Sequence, residues 1–128
     1  MRSWFSFSVV LLGLLALPAC GDDGRPAGTA GNDSTLVGGA CMSNTECDKG
    51  LCQAGEAFPG SLCTISCGGS NNCPSGSSCA ELDSGWVCLV DCTATTDCRE
   101  QWTCEPIIEA GTNGGSTVSV CIGPVPTS

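Results

Sequence analysis

The feature that most constrains this chain is the number and spacing of its cysteines. The 128 residues contain 13 cysteines, a content typical of small scaffolds held by disulfides. From position 41 onward the cysteines form three sets of four, with gaps of 5, 4 and 10, then 5, 5 and 8, then 5, 5 and 16 residues. The twelve are Cys41, Cys47, Cys52, Cys63, Cys67, Cys73, Cys79, Cys88, Cys92, Cys98, Cys104 and Cys121. This self-similarity predicts one module written three times, over 41–66, 67–91 and 92–123.

Each module is predicted to contain a polar knuckle followed by a β-hairpin. The longest gap always lies between the third and fourth cysteines and carries turn residues. In the middle module, "SSCAELDSGWVCLV" predicts a hairpin turning at 83–85; in the last, strands flank "AGTNGGS"; in the first, "FPG" interrupts the chain. The predicted fold class is therefore small and disulfide-rich, dominated by β-hairpins and loops, with three tandem four-cysteine modules after a disordered linker.

The pairing of the cysteines stays open at this stage, because four cysteines allow three pairings within a module. We favour first to third and second to fourth, since this choice ties the knuckle to both strands of the hairpin. The main rival joins third to fourth across the hairpin and first to second within the knuckle. Two disulfides in a module supply roughly 2–4 kcal/mol each, which offsets a sparse apolar core.

The first twenty residues predict export and lipidation. A short positive start, Met1 and Arg2, precedes a 13-residue apolar run, which is too short to span a bilayer and is typical of a signal peptide over 1–19. The stretch "LPAC", residues 17–20, resembles the lipobox of bacterial lipoproteins. That resemblance implies cleavage before Cys20 and acylation of Cys20 with chains such as palmitate. Setting Cys20 aside leaves an even number of cysteines; the alternative is an ordinary signal peptide cut near Ala19.

The anchor is expected to continue into a flexible linker over residues 20–40. Residues 21–40 contain six glycines and only two larger aliphatic side chains, Leu36 and Val37, without an apolar period. A disordered tail is predicted over 124–128. By resemblance to the lipoprotein sorting rule, Gly21 after Cys20 implies the bacterial outer membrane, on its periplasmic or extracellular, cell-surface face.

The alternating short gaps over residues 40–122, together with "CPSGSSC" at 73–79, resemble the cysteine-rich repeats of secreted myxobacterial and other deltaproteobacterial lipoproteins. They are more distantly similar to Dickkopf N-terminal and EGF-like modules. The resemblance implies a location and a disulfide-held build, and it implies no reaction.

Composition argues against several classes of function. The chain has no histidine, so neither a Ser-His-Asp nor a Cys-His arrangement can form, and we expect no enzyme. The net charge is −9, and loss of Arg2 with the signal peptide brings the mature chain near −10, which argues against nucleic acid as a partner. We expect no cofactor and no metal. The cysteine gaps and the oxidising compartment disfavour zinc. The loop acids Glu46, Asp48, Asp97 and Glu100 keep calcium as an alternative.

The sequence thus predicts a non-catalytic surface lipoprotein, attached to the membrane through Cys20, that acts in recognition or in envelope architecture. Its protein or envelope partner is unknown. Three aromatic side chains, Trp86, Trp102 and Phe58, are candidates either for each module's own small core or for partner contact. The alternative functions are a calcium-binding module and a protease inhibitor, the latter through the loop "EAFPGSLC" at 56–63.

Overall fold

The computed structural model describes residues 25–123, which form short β-hairpins and 3₁₀ turns without any α-helix. The strands are β1 (Cys52–Gln53), β2 (Leu62–Cys63), β3 (Ser77–Leu82), β4 (Gly85–Val90), β5 (Thr103–Ile108) and β6 (Thr117–Ile122). They pair only with their sequence neighbours, as three two-stranded antiparallel sheets. The predicted fold class is confirmed, with one hairpin in each module.

The knuckles are 3₁₀ turns that end immediately before the second cysteine of each module, at Asn44–Glu46, Ser70–Asn72 and Thr95–Asp97. The last residue of each turn closes it through its side chain. Glu46 Oε2 accepts a hydrogen bond from Ser43 N at 2.9 Å, Asn72 Oδ1 from Gly68 N at 2.8 Å, and Asp97 Oδ2 from Thr93 N at 2.9 Å. The repeated polar residue is therefore the last residue of the turn, and its side chain reaches back to a backbone N–H at or just before the N-cap, as in a capping box.

Two disulfides join each knuckle to its hairpin, six in all, in the predicted pattern of first to third and second to fourth cysteine. They are Cys41–Cys52, Cys47–Cys63, Cys67–Cys79, Cys73–Cys88, Cys92–Cys104 and Cys98–Cys121. The third and fourth cysteines of each module are direct cross-strand neighbours, as Cys79 and Cys88 are, yet each is bonded to the knuckle instead. The favoured pairing is confirmed, and the rival pairing is wrong.

The modules share one apolar core, whereas the sequence suggested a separate small core in each. The core contains Phe58 and Leu62 from the first module, Ala80, Val87 and Leu89 from the second, and Trp102, Val120, Cys121 and Ile122 from the third. Backbone contacts between modules reinforce this packing: Cys88 N donates to Ile65 O of the first module at 3.0 Å, and Gly123 N donates to Ala57 O of the first module at 2.7 Å. Each module is too small to exclude water from a core of its own, so the three modules bury their apolar side chains against one another.

The segment 29–40 packs against all three modules, so the prediction of a flexible linker does not hold there. Val37 is fully buried in a second cluster beside Cys73 and Cys88. Hydrogen bonds reach each module in turn: Gly38 N donates to Cys63 O at 2.9 Å, Ala30 N to Ser75 O at 2.9 Å, and Asn32 Nδ2 to Asp97 O at 2.8 Å. The predictions of a signal peptide over 1–19, of lipidation at Cys20 and of a disordered tail over 124–128 concern residues outside those that the structure describes.

Candidate functional site

Two of the three candidate contact aromatics are core residues. Phe58 and Trp102 are each 4% exposed, and their ring centroids are 6.1 Å apart. Trp102 Nε1 donates to Pro59 O at 2.9 Å, which fixes the third module against the first. A contact role is therefore wrong for Phe58 and Trp102, and the core interpretation is right, although the core is shared.

Arg99 completes this junction between the first and third modules. Its guanidinium carbon lies 4.3 Å from the centroid of the Trp102 ring, a cation–π geometry. Arg99 Nη2 also donates to Ser61 O at 2.7 Å. Partial burial lowers the pKa of Arg99, and the carboxylate of Asp33 opposes that shift. The side chain remains a cation at neutral pH, because an arginine pKa starts far above 7.

Trp86 is the remaining candidate, and it is accessible, with 40% of its surface exposed. It lies on β4, directly across from Glu81 on β3, one pair before the two-residue turn that ends the hairpin. Cross-strand neighbours in an antiparallel pair project from the same face of the sheet. The indole and the carboxylate therefore emerge side by side at the tip of the second hairpin.

The loop of the third hairpin forms the opposite wall beside Trp86. Ala110 N donates to Cys79 O at 2.9 Å, and Ser70 Oγ donates to Glu109 Oε1, so the start of this loop is held against the second module. Gly111 has φ +83°, and a Cβ there would lie 2.9 Å from Gly68 O. Glycine is therefore required where the two backbones approach.

Between these walls lies a shallow groove of about 200 Å³, here called the Trp86 groove. Its lining residues are Glu81, Trp86, Ile108, Gly111, Asn113 and Gly114. Ile108 is 44% exposed, which is unusual for a large aliphatic side chain in a molecule with so few of them. Within residues 25–123, no hydrogen bond or ion pair engages the Glu81 carboxylate, and no lysine or arginine lines the groove. The groove therefore combines an aromatic face, an aliphatic edge and an uncompensated negative charge.

The cysteine clusters offer no thiolate ligand in this oxidised form. In each module three sulfur atoms lie within 4.8 Å of one another, as those of Cys67, Cys73 and Cys88 do. Every one of these sulfurs is already bonded in a disulfide. Metal binding through cysteine requires the thiolate, so the proximity reflects two bridges packed together in each module.

The structure uses part of each loop-based alternative to hold the fold together. Glu46 and Asp97, which were considered as calcium ligands, cap the knuckles through backbone N–H groups. In the loop considered for protease inhibition, Phe58 is buried, and the carbonyls of Pro59 and Ser61 accept hydrogen bonds from the third module. This loop is therefore packed along the module junction.

Comparison of the chain with models of protein families, with curated proteins and with solved structures gave no match. Within residues 25–123, no helix has the length and apolar character needed to cross a membrane. The signal that would have identified the Trp86 groove was the cross-strand pairing of Trp86 with Glu81, which follows from a two-residue turn at 83–84. The predicted turn at 83–85 is one residue longer and would have paired Glu81 with Val87 instead. The docking of the 109–116 loop beside it has no counterpart in the sequence pattern.

Proposed function

We propose that this protein is a lipid-anchored, non-catalytic binding or structural protein of the bacterial outer membrane. The observation that carries the proposal is that the cysteines after Cys20 are all bonded to one another. All twelve from Cys41 to Cys121 pair with one another, so none is available to bond Cys20. An odd cysteine that follows an apolar leader and a lipobox-like "LPA" is explained by acylation of its thiol.

The packed segment 29–40 gives the proposed anchor a short reach. Nine residues lead from Cys20 to Thr29, which bridges to Ser75 of the second module. A chain extends by at most about 3.6 Å per residue, so the disulfide-bonded body lies within about 30 Å of the acylated cysteine. Such a protein acts close to the membrane surface, on partners that are themselves near it.

The chemistry of the surface supports binding over catalysis. The chain lacks histidine, and among the residues that line the Trp86 groove Glu81 is the single acid, with no base or nucleophile. General acid–base catalysis needs groups whose pKa values are set apart by their surroundings. A rigid disulfide scaffold with an exposed tryptophan is suited to recognition, in which large aromatic side chains provide much of the binding energy.

The test is the intact mass of the protein made in a bacterial host that performs lipoprotein maturation, after alkylation without reduction. We expect the chain to begin at Cys20, to carry acyl groups there, and to show no alkylated thiol. The Cys20→Ser variant should lose the acyl mass and move from the membrane fraction to the soluble fraction. A mature protein with an unmodified Cys20, or one that stays in the membrane fraction after Cys20→Ser, would overturn the proposal.

A further inference from the structure

We propose that the Trp86 groove binds an arginine side chain presented by a partner protein. This inference rests on the proposed function as a surface binding protein and names the chemistry that such a partner must offer. It is carried by three properties of the groove: its size, its combination of side chains and the charge that surrounds it.

The size of the groove suits a single side chain. Small-molecule and cofactor sites occupy roughly 300–1,000 Å³ and enclose most of their ligand. The Trp86 groove measures about 200 Å³ and is partly open to solvent. It therefore accommodates the end of one long side chain that projects from a partner, while the partner's body remains outside.

The chemistry of the groove fits a guanidinium group. The indole of Trp86 offers an aromatic face for a planar cation, and Glu81 offers a carboxylate that has no partner within the described residues. The planar guanidinium of arginine stacks on aromatic faces and donates paired hydrogen bonds to carboxylates. The ammonium of lysine is a compact point charge and lacks this planar, paired geometry. Ile108 gives the methylene stem of the arginine an apolar edge against which to pack.

The molecule already contains one pairing of this kind. At the junction of the first and third modules, Arg99 lies over Trp102 with its guanidinium carbon 4.3 Å from the ring centroid. That arginine also donates to a main-chain oxygen beside the ring. The Trp86 groove likewise combines an indole with an oxygen acceptor, here the carboxylate of the cross-strand neighbour Glu81, and no cation within residues 25–123 lies over that indole.

The overall charge favours a basic partner. The chain has 13 acidic and 4 basic residues, and its net charge is −9. A surface of one sign attracts oppositely charged partners and raises their rate of association, an effect that salt weakens. A neutral ligand such as a saccharide could stack on Trp86, but it would gain nothing from this field or from the charge of Glu81.

The experiment uses the mature acylated protein, held in nanodiscs of zwitterionic lipid and labelled with ¹⁵N. The probe is the peptide Gly-Arg-Gly-Arg-Gly, and the matched probe replaces both arginines with citrulline, which keeps the shape and removes the charge. The readout is the indole N–H signal of Trp86. The buried Trp102 indole, whose N–H is bonded to Pro59 O, is the internal reference. Titrations are repeated at low and high salt.

We expect the arginine peptide to shift the Trp86 signal, the citrulline peptide to leave it unmoved, and salt to weaken the effect. Exposed cation–π contacts and exposed ion pairs are each worth up to about fivefold in affinity. Trp86→Leu and Glu81→Gln should therefore each weaken binding about two- to fivefold. For Trp86→Leu, binding is followed by the backbone amides of Gly111 and Gly114. Glu100→Gln removes the same charge from an exposed loop outside the groove, and it should change binding by less than about 1.5-fold.

Several results would overturn the inference. These are equal shifts from the citrulline and arginine peptides, an equal loss of affinity in Glu81→Gln and Glu100→Gln, or a response of Trp86 to chitotriose but not to the arginine peptide. A silent Trp86 signal in a protein that is acylated at Cys20 would remove this inference and leave the proposed function standing. An unmodified Cys20 would remove the proposed function, and the titration would still decide the arginine site by its own shifts.

Discussion

At the scale of single residues, the position before each second cysteine determines how a knuckle closes. The first and third modules use a carboxylate there, Glu46 and Asp97, and the second uses the amide of Asn72. All three accept backbone N–H groups, but only the carboxylates change charge with pH. The fold lowers the pKa of Asp97, so the third knuckle makes the stability of the fold depend on pH.

Asp97 is predicted to make the stability of the third knuckle depend on pH. Hydrogen bonds from Thr93 and Ala94 to its ionised form hold the pKa of Asp97 below its ordinary value of 3.8. A lowered folded pKa contributes stability that is present above about 3.8 and is lost as pH falls through the folded value. Asp97→Asn should remove this dependence, and Asn72→Asp should introduce it in the second module. The measurement is the pH titration of the Thr93 and Ala94 amide shifts; a midpoint at or above 3.8 would contradict the prediction.

Gly38 is predicted to be irreplaceable, because the packed segment 29–40 turns there with φ +119°. A Cβ on Gly38 would meet the carbonyl oxygen of Gly31 and would lie 2.6 Å from Val90 Cγ2. Gly38→Ala should lower the free energy of unfolding by about 2 kcal/mol or more, from backbone strain together with the clash. The measurement is guanidinium unfolding without reductant. Gly31→Ala is the matched control, since nothing lies within 4 Å of a Cβ there, and it should change stability by less than about 1 kcal/mol.

The same segment shows that the type of a residue does not by itself predict whether it is buried. The six glycines of residues 21–40 and the lack of an apolar period are typical of a flexible linker, yet Gly38 and Gly39 are buried where two backbones meet. Likewise, nothing in the residue type distinguishes the buried Trp102 from the exposed Trp86. The difference arises from tertiary packing, because Trp102 faces the shared core and Trp86 lies at the end of a hairpin.

At the scale of elements, the cysteine spacing predicted the three modules and, through the long last gap of each, their hairpins. The spacing left three pairings open within a module, and the pairing found was favoured because it ties the knuckle to both strands. The turn of the second hairpin, predicted at 83–85 and found at 83–84, and the strands on either side of the 109–116 loop were also accessible, since their turn residues are local signals. The Trp86 groove was not, because it needs the third hairpin's loop to lie beside the tip of the second. No local pattern encodes that contact.

The close packing of two bridges within each element predicts disulfide exchange when one cysteine is lost. In Cys79→Ser, the freed Cys67 sulfur lies within 4.8 Å of those of Cys73 and Cys88. A thiolate that close to a disulfide can attack it, so a second isomer with Cys67 bonded should accumulate at mildly alkaline pH. Peptide mapping without reduction measures this. The double variant Cys67→Ser/Cys79→Ser should retain only Cys73–Cys88; a single variant that does the same, with Cys67 free, would contradict the prediction.

At the scale of the whole molecule, the shared core makes three sequence repeats into one cooperative body. Leu89 of the second module is fully buried in the core that Leu62 and Val120 of the other modules complete. Leu89→Ala should therefore cost about 2–5 kcal/mol, the range for leaving a cavity in a packed core. Because all three modules share this core, the loss of stability should extend to the modules that do not carry the substitution.

Amide hydrogen exchange on the disulfide-intact protein distinguishes a shared core from three independent ones. In Leu89→Ala, protection should fall in β2, β4 and β6 together, because opening any hairpin exposes the same apolar surface. Met42→Ala is the control, since Met42 is 93% exposed and its loss should leave exchange unchanged in all three modules. Loss of protection confined to β3 and β4 would mean that the modules are held independently by their disulfides. The Trp86 groove, which spans two modules, would then have no rigid frame.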